Sequence, residues 1–276
     1  MGPSFEGPMF FSDPVKKLKP WAAQHARTAY KPVTREGHGP DRGSRFNGSP
    51  FLADGEAWPA CTVCAKPMPL FLQLDLDALP GAYAGRFGSG LLQLFYCVGD
   101  CEFEGPDAWA PFDHKTKTVR VVPADAAGAI AAPRDVGLEA KPQAIVDWTP
   151  HNECCNSEEA EAYGIAVDYE RERLGHKTRF RCDALKIDTG WISQEDEDRL
   201  NEQIFNPSGG DKLGGWPQWI QSLEYPNCPE CGVRMDLVFQ IDSEDHVPFM
   251  FGDVGTGHIT QCPTHKHVVT FGWACT

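Results

Sequence analysis

Alternating apolar and polar positions mark several short strands along the chain. The clearest run is LFLQLDL at residues 70–76, where every second residue is leucine. A similar run, LVFQID, covers residues 237–242. Alternation with a period of two is typical of a strand with one buried face. Shorter apolar runs predict further strands at residues 91–96, 119–122, 258–261 and 268–273.

Helical signals are fewer. A helix is predicted over residues 13–30, with Asp13 as the N-cap and proline in the first helical position. Two shorter helices are predicted at residues 157–163 and 193–205, each with a serine at its start. Segments rich in glycine, proline or charge are interpreted as linkers at residues 31–43 and 123–142. The fold class predicted from this pattern is α+β and mostly β.

The chain contains an internal repeat. Residues 44–75 align without a gap on residues 211–242, 167 positions later, with nine identities in 32 positions. Ordinary residue usage would give roughly two. We interpret the match as a tandem duplication. The predicted division is an N-terminal helix and linker at 1–43, a first repeat at 44–145, a connecting segment with helices at 146–210 and a second repeat at 211–276.

Each repeat carries two pairs of residues that commonly bind metal ions. The first copy has a CxxC pair before its strand and a CxxxC pair after it, and the second has CxxC and then CxxH. Cysteine and histidine in two short turns supply the four ligands of tetrahedral zinc. The sequence therefore predicts one structural zinc ion per repeat. The predicted ligands are Cys61, Cys64, Cys97 and Cys101 in the first copy and Cys228, Cys231, Cys262 and His265 in the second.

The cysteines could instead be reduced core residues or a redox pair. Reduced core cysteines are common, but packing gives no reason for two CxxC spacings in register. A redox CxxC starts a helix, whereas a strand follows here. Cys275, His258 or His267 remain alternatives to His265. Cys154 and Cys155, with His151 and either Cys182 or His176, could form another metal site, but no repeat supports it and these cysteines are interpreted as core residues.

Two further features recur in the repeats. Gln73 and Asp75 point the same way from one predicted strand, as do Gln240 and Asp242 from the other. They could line a polar site between the repeats, or they could cap the ends of strands. A Trp-Ala pair also follows each set of predicted ligands, and its tryptophans, Trp109 and Trp273, are interpreted as core residues. No motif specifies a catalytic reaction.

The bulk properties limit the partners. The formal net charge of −14 over 276 residues disfavours nucleic acid and suits a basic protein partner. No apolar run reaches the roughly 18 residues of a membrane span, and the N-terminus lacks the pattern of a signal peptide. We therefore expect a cytoplasmic protein. The sequence does not specify its oligomeric state.

Residues 44 to the end resemble the YwqG-like family of bacterial proteins of unknown function. The stretches that carry the resemblance are KLGGWPQWI, FLQLDLDALP, GLLQLFY and the segment from DLVFQID to QCPTH. More distantly, the order of CxxC, apolar strand and CxxxC resembles the programmed-cell-death-protein-2 group of ribosomal-protein chaperones. These resemblances imply a protein-binding role, as a client chaperone or a toxin-neutralising protein. The alternative function is an enzyme or small-molecule binder that uses a groove between the repeats.

Overall fold

The computed structural model describes residues 13–103, 109–173 and 175–276. The prediction that the N-terminus is not a signal peptide falls on residues 1–12, which lie outside this part of the chain. The helices are α1 (Pro14–His25), α2 (Ser157–Ala160) and α3 (Gln194–Gln203). The strands are β1 (Arg27–Glu36), β2 (Arg45–Phe46), β3 (Phe51–Ala53), β4 (Leu70–Asp75), β5 (Leu91–Tyr96), β6 (Lys117–Val122), β7 (Gly128–Ile130), β8 (Gln143–Glu153), β9 (Ala166–Glu172), β10 (Gly175–Cys182), β11 (Ile187–Asp188), β12 (Lys212–Gly214), β13 (Asp236–Asp242), β14 (Thr256–Gln261) and β15 (Val269–Ala274). The structure is mostly β, as predicted.

The described chain forms two compact units. Of the described residues, the smaller unit contains 13–27 together with those of 153–207. The larger unit contains residues 28–152 and 208–276. The larger unit therefore holds all eight predicted metal ligands.

The smaller unit packs α1 and α3 on an antiparallel sheet of order β11-β10-β9. Its helix α1 begins as predicted, because the Asp13 side chain accepts a hydrogen bond from the main-chain N–H of Val15 at 3.1 Å. Trp21 is fully buried, and its Nε1 donates to the carbonyl of Tyr163 at 3.0 Å. A tryptophan placed in this way combines apolar burial with a satisfied polar atom.

Helix α1 is shorter than the sequence predicts, and the first predicted linker is part of a strand. Residues 27–30 continue into β1, where Ala29 pairs with Gly214 and Tyr30 with Leu213. Pairing with a distant strand overrides the local helical preference. The second predicted linker likewise contains β7, which pairs with β3. A Cβ at Gly128 would overlap the main chain of Leu52, so this glycine permits a close strand approach and does not mark a flexible segment.

The larger unit is built on a ten-stranded sheet of order β15-β14-β13-β12-β1-β8-β2-β4-β5-β6. The sheet curls into a nearly closed barrel, in which Trp273 Nε1 on β15 donates to the hydroxyl of Tyr96 on β5 at 2.7 Å. Near closure protects strand edges that would otherwise present unpaired main-chain groups. The interior is filled by apolar side chains from both halves of the sheet, including Leu72, Leu94 and Phe239.

Two groups of four strands in this sheet have matching registers. Arg45 on β2 pairs with Gln73 on β4, and Lys212 on β12 pairs with Gln240 on β13. Both partners differ by 167 positions, the offset of the sequence match. The register also shifts at corresponding places, between residues 70 and 72 and between residues 237 and 239. The strands β2-β4-β5-β6 and β12-β13-β14-β15 therefore carry the same local features.

Buried glutamine amides attach loops to the outer face of the sheet. Gln73 is fully buried, and its Nε2 donates to the carbonyls of Asp41 and Gly43 at 3.1 and 3.0 Å. Its Oε1 accepts from the main-chain N–H of Phe51 at 3.0 Å and from Gln93 Nε2 at 2.9 Å. Each main-chain group that a loop buries needs such a partner.

Gln240 performs the same task 167 positions later. Its Nε2 donates to the carbonyls of Ser208 and Gly210 at 3.4 and 3.0 Å, and its Oε1 accepts from the N–H of Gln218 at 2.8 Å. One amide thus satisfies three main-chain groups of the covering loop. An apolar side chain of the same size could satisfy none of them.

We predict that Gln73→Leu lowers the free energy of unfolding by at least about 3 kcal/mol, because several buried polar groups lose their partner at about 1–3 kcal/mol each. Urea denaturation should show a lower midpoint with an unchanged m-value. Gln221→Leu is the matched control, since Gln221 is exposed and makes one bond, to the carbonyl of Cys275. Equal effects of the two substitutions would contradict the role given to the buried amide.

Candidate metal centres

The first cluster of four cysteines forms between β4 and β5. Cys61 and Cys64 lie in the turn before β4, and Cys97 and Cys101 follow β5. Their sulfur atoms all lie within 4.8 Å of one another, and the sulfurs of Cys64 and Cys97 are 3.8 Å apart. Four sulfurs at about 2.3 Å from a tetrahedral ion would be about 3.8 Å from each other. The spacing therefore fits a tetrahedral metal ion.

The second cluster occupies the corresponding place beside β13 and β14. The sulfurs of Cys231 and Cys262 are 3.7 Å apart, and His265 Nδ1 lies 3.6 Å from the sulfur of Cys228. These four side chains also lie within 4.8 Å of one another at their ligand atoms. The structure thus brings together both predicted ligand sets.

Each CxxC turn is held by the same main-chain bonds. The N–H of Cys61 donates to the carbonyl of Lys66, and the N–H of Cys228 to that of Val233, both at 2.9 Å. The residue after the second cysteine has a left-handed conformation in both turns, with φ of 60° at Ala65 and 70° at Gly232. The same backbone conformation therefore directs both cysteines of each turn towards one cluster.

The thiols of the clusters differ in acidity. A main-chain hydrogen bond from Lys66 is the main cause that lowers the pKa of Cys64 to about 7. Burial alone would raise the pKa of Cys262, but the N–H groups of His265 and Thr264 outweigh it and lower the pKa to about 7. Burial raises the pKa of Cys101 to about 11. A bound cation would favour the thiolate at every position, which couples metal affinity to pH.

The geometry and the donor set both fit a metal ion with four protein ligands. All eleven cysteines are reduced, so no disulfide competes for these sulfurs. Cys61, Cys97 and Cys228 are almost fully buried, and a buried group of thiols without a cation has little else to bond. The two clusters could therefore hold metal ions.

The alternative ligands lie elsewhere. His267 Nε2 is 2.6 Å from a carboxylate oxygen of Glu230 and is largely exposed. Neither His258 nor Cys275 belongs to the second cluster. Of the four candidates for its last position, the structure places only His265 there. Within the described ranges no metal-binding group includes Cys154, Cys155 or Cys182, which are buried as the core interpretation expects.

The residues of the predicted polar site do not meet. Gln73 and Gln240 lie on β4 and β13, which have four other strands between them in the sheet. Asp75 Oδ1 accepts the N–H of Asp77 at 3.0 Å, and Asp242 Oδ2 accepts that of Gly210 at 2.7 Å. The carboxylates bond nearby main chain, and the two amides hold the loops described above.

A third group contains Asp211, Asp245 and His246, with ligand atoms within 4.8 Å of one another. Asp211 is fully buried and accepts the N–H of Asp242 at 2.7 Å. Its second oxygen lies 2.9 Å from His246 Nδ1. This hydrogen-bonded arrangement accounts for the group without a metal.

The two tryptophans of the Trp-Ala pairs do not occupy matching positions. Trp273 lies within β15 and is buried, as predicted. Trp109 lies in the segment before β6 and is 47% exposed, so its prediction as a core residue is wrong. Its carbonyl accepts the N–H of Trp273 at 3.1 Å, and both residues line a cavity of about 490 Å³. No pattern in the sequence had indicated this cavity.

These features define a mostly β protein with two cysteine-rich clusters at corresponding places in one sheet. Residues 44–262 match the family described as Domain of unknown function (DUF1963), and the chain belongs to that family. This agrees with the resemblance to YwqG-like proteins of unknown function. A stretch of 43 residues is also 42% identical to the uncharacterized protein YpfL of Salmonella typhimurium. That match spans 16% of this chain and 10% of YpfL.

Among the described residues, no helix combines the length and the apolar character needed to cross a bilayer.

We predict that Gly232→Ala lowers the free energy of unfolding by about 1 kcal/mol, the typical cost of a left-handed conformation for a residue with a Cβ. The Cβ would have no atom within 4 Å, so no steric cost is added. Ala65→Gly is the matched control and should not destabilise the protein. Thermal and urea unfolding measure both, and a loss above about 3 kcal/mol for Gly232→Ala would contradict this account.

Proposed function

We propose that the protein is a zinc-stabilised interaction module that binds a basic protein partner. The observation that carries this proposal is that protein side chains fill all four positions of each cluster. A filled tetrahedral site has no position for water or substrate, so its metal would be structural. The function would then reside on the surfaces that the clusters help to hold.

Zinc is the metal that the donor atoms favour. Sets of four thiolates, or of three thiolates and one imidazole, are typical of structural zinc. The nearly tetrahedral spacing of the sulfurs supports the same choice. Each ion would join the turn before one strand to the segment that follows the next strand.

We further propose that the two groups of four strands arose by tandem duplication. The shared offset of 167 residues in the pairs Arg45–Gln73 and Lys212–Gln240 supports it. The equal placement of the two register shifts and of the two clusters supports it as well. Chance would have to reproduce all of these features together.

The charge of the chain supports a basic partner. Its formal net charge is −14, and the first turn of α3 carries Glu195, Asp196 and Glu197 in succession. The negative electrostatic potential around such a chain attracts cationic groups and repels phosphates. The resemblances noted above then suggest a client chaperone or a toxin-neutralising protein in the cytoplasm.

The second candidate function is that of an enzyme or small-molecule binder. The cavity of about 490 Å³ beside β14 and β15 favours it, because its volume lies within the usual range of ligand pockets. The residues Gln73, Asp75, Gln240 and Asp242 support it less, since their side chains bond main chain.

We predict that the purified protein contains about two zinc ions per chain. The variant Cys61→Ser/Cys228→Ser should lose both ions and fail to fold, because structural zinc supplies on the order of 10 kcal/mol. Elemental analysis and circular dichroism test this. Cys275→Ser is the control, since Cys275 lies outside both clusters. A double variant that is free of metal yet gives a native spectrum would refute the zinc assignment.

We also predict that the full chain captures a basic protein in stoichiometric amount at low salt, and that added salt weakens the complex because charge attraction is screened. Affinity capture over a salt series, followed by identification of the bound protein, measures this. An unrelated protein of similar net charge is the control for nonspecific attraction. Failure to recover any stoichiometric partner at low salt would count against the interaction module.

A further inference from the structure

The cavity beside β14 and β15 contains buried polar atoms without partners. It is lined by Phe112, Trp219, Tyr225, His258, Thr260 and Gly272, among others. His258 is only 4% exposed and Thr260 only 2%. Among the described residues, His258 Nε2, Thr260 Oγ1 and Trp219 Nε1 find no hydrogen-bond partner. Such buried polar atoms need a partner from outside the chain, which can be water, an ion or a ligand.

Corresponding rows of side chains cross the two groups of strands. In the first group the paired residues are Arg45, Gln73, Gln93 and Arg120. In the second they are Lys212, Gln240, His258 and Gly272. The rows agree in character except at the end, where glycine stands in place of Arg120. The second group therefore lacks a guanidinium that the first group contains.

The first group shows how this guanidinium is held. Arg120 Nε donates to Gln93 Oε1 at 3.0 Å. Its terminal nitrogens bond the two carboxylate oxygens of Glu56 at 2.9 and 3.1 Å. The guanidinium also lies 5.5 Å from the ring centre of Phe95, within the range of a cation–π contact. An acceptor, a carboxylate and an aromatic face thus surround it.

His258 offers the same acceptor in the second group. Gln93 Nε2 donates to the carbonyl of Phe51 at 2.7 Å, and the main chain of Gln218, 167 residues after Phe51, lies close enough to the His258 ring to favour its protonated form. We assign the proton of the neutral ring to Nδ1, which leaves Nε2, buried and without a partner, as the acceptor. His258 Nε2 therefore corresponds to the Gln93 oxygen that accepts from Arg120.

The ring is in the right state to accept. Burial is the main cause that lowers the pKa of His258 to about 3, and the charge of Lys212 lowers it further. The imidazole is then neutral at pH 7, and Nε2 carries a lone pair. Lys212 does not by itself exclude a cation, because Arg45 occupies the same position in the row that ends with Arg120.

Other side chains that line the cavity correspond to the remaining contacts of Arg120, namely its carboxylate and its aromatic ring. Glu224 brings a carboxylate to the cavity. The Trp219 ring lies 4.5 Å from the His258 ring and 4.7 Å from that of Tyr225, which gives an aromatic wall. The Tyr225 ring already has the guanidinium of Arg234 at 4.1 Å from its centre. Trp219 and Tyr225 are both half-buried, and both rings line the cavity.

We propose that this cavity, here called the His258 pocket, binds a guanidinium group carried by an arginine side chain of a partner protein. The guanidinium donates to His258 Nε2 as Arg120 donates to Gln93 in the first group, and it reaches the ring through the cavity, because Pro111 packs over Gly272 where the side chain of Arg120 would begin. A main-chain carbonyl next to the arginine accepts from Trp219 Nε1, whose N–H a guanidinium cannot satisfy. The inference deepens the proposed function, because it names the side chain that a basic partner would insert.

The test uses the full chain and small probes. Nα-acetyl-L-arginine methylamide is titrated by calorimetry and by tryptophan fluorescence, in parallel with the lysine analogue and with methylguanidinium. We expect saturable binding of the arginine probe, at least about tenfold tighter than the lysine probe, since lysine lacks the planar array of donors. Methylguanidinium should bind more weakly than the arginine probe, because it has no carbonyl for Trp219.

Two substitutions at position 258 distinguish loss of the hydrogen-bond acceptor from a change in packing. His258→Leu should weaken binding of the arginine probe at least about tenfold, because the acceptor is lost. His258→Gln should bind within about threefold of the original protein, since it reproduces the acceptor of Gln93. Circular dichroism verifies that both variants fold. If they do not, Trp219→Leu in the partly exposed loop should weaken binding of the arginine probe as well.

Several outcomes overturn the proposal. They are no saturable binding of the arginine probe up to about 10 mM, equal binding of the lysine probe, or unchanged binding by His258→Leu. Methylguanidinium that binds as tightly as the arginine probe would assign the pocket to a small guanidino compound instead of a protein. Capture of a basic partner without binding of the arginine probe would overturn the pocket alone and leave the interaction module standing.

Discussion

The structure of the larger unit depends on hydrogen bonds from glutamine side chains that lie beneath its loops. Gln73 and Gln240 sit on the outer face of the sheet, where loops cover them, and each amide bonds three main-chain groups of the covering loop. A loop can cover a sheet only if its buried polar groups find partners. By bonding these main-chain groups, Gln73 and Gln240 hold the loops that border the neighbouring cavities.

The cysteine clusters solve a different problem. They join the turn before one strand to the segment that follows the next strand, at one end of the buried pair. Met68 and Leu70 pack against the first cluster, and Met235 packs against the second. A metal ion at such a place would add local stability without enlarging the core. This separates the groups that hold the fold from the surface on which a partner would bind.

The sequence was informative wherever a signal was local or repeated. The alternating run at 70–75 and the two CxxC turns predicted strands and ligand sets that the structure brings together. Prediction from the sequence was wrong where long-range pairing decides the structure, as for the strand at 27–36 and the short strand at 128–130. The His258 pocket was also beyond it, because the correspondence of Gly272 with Arg120 depends on the register of β15 and β6, where the alignment of the repeats breaks down.

The two rows across the sheet have a wider consequence. The first row ends in Arg120, which bonds other groups of the same chain, whereas the second ends in Gly272 beside a cavity of about 490 Å³. Arg120 and Glu56 help to fasten a loop to the first half of the sheet. At the corresponding end of the second row a Cβ on residue 272 would lie 2.9 Å from Pro111, so this proline packs over the glycine and both residues line the cavity. Two similar rows in one sheet thus end in a stabilising ion pair in one case and in the wall of a cavity in the other.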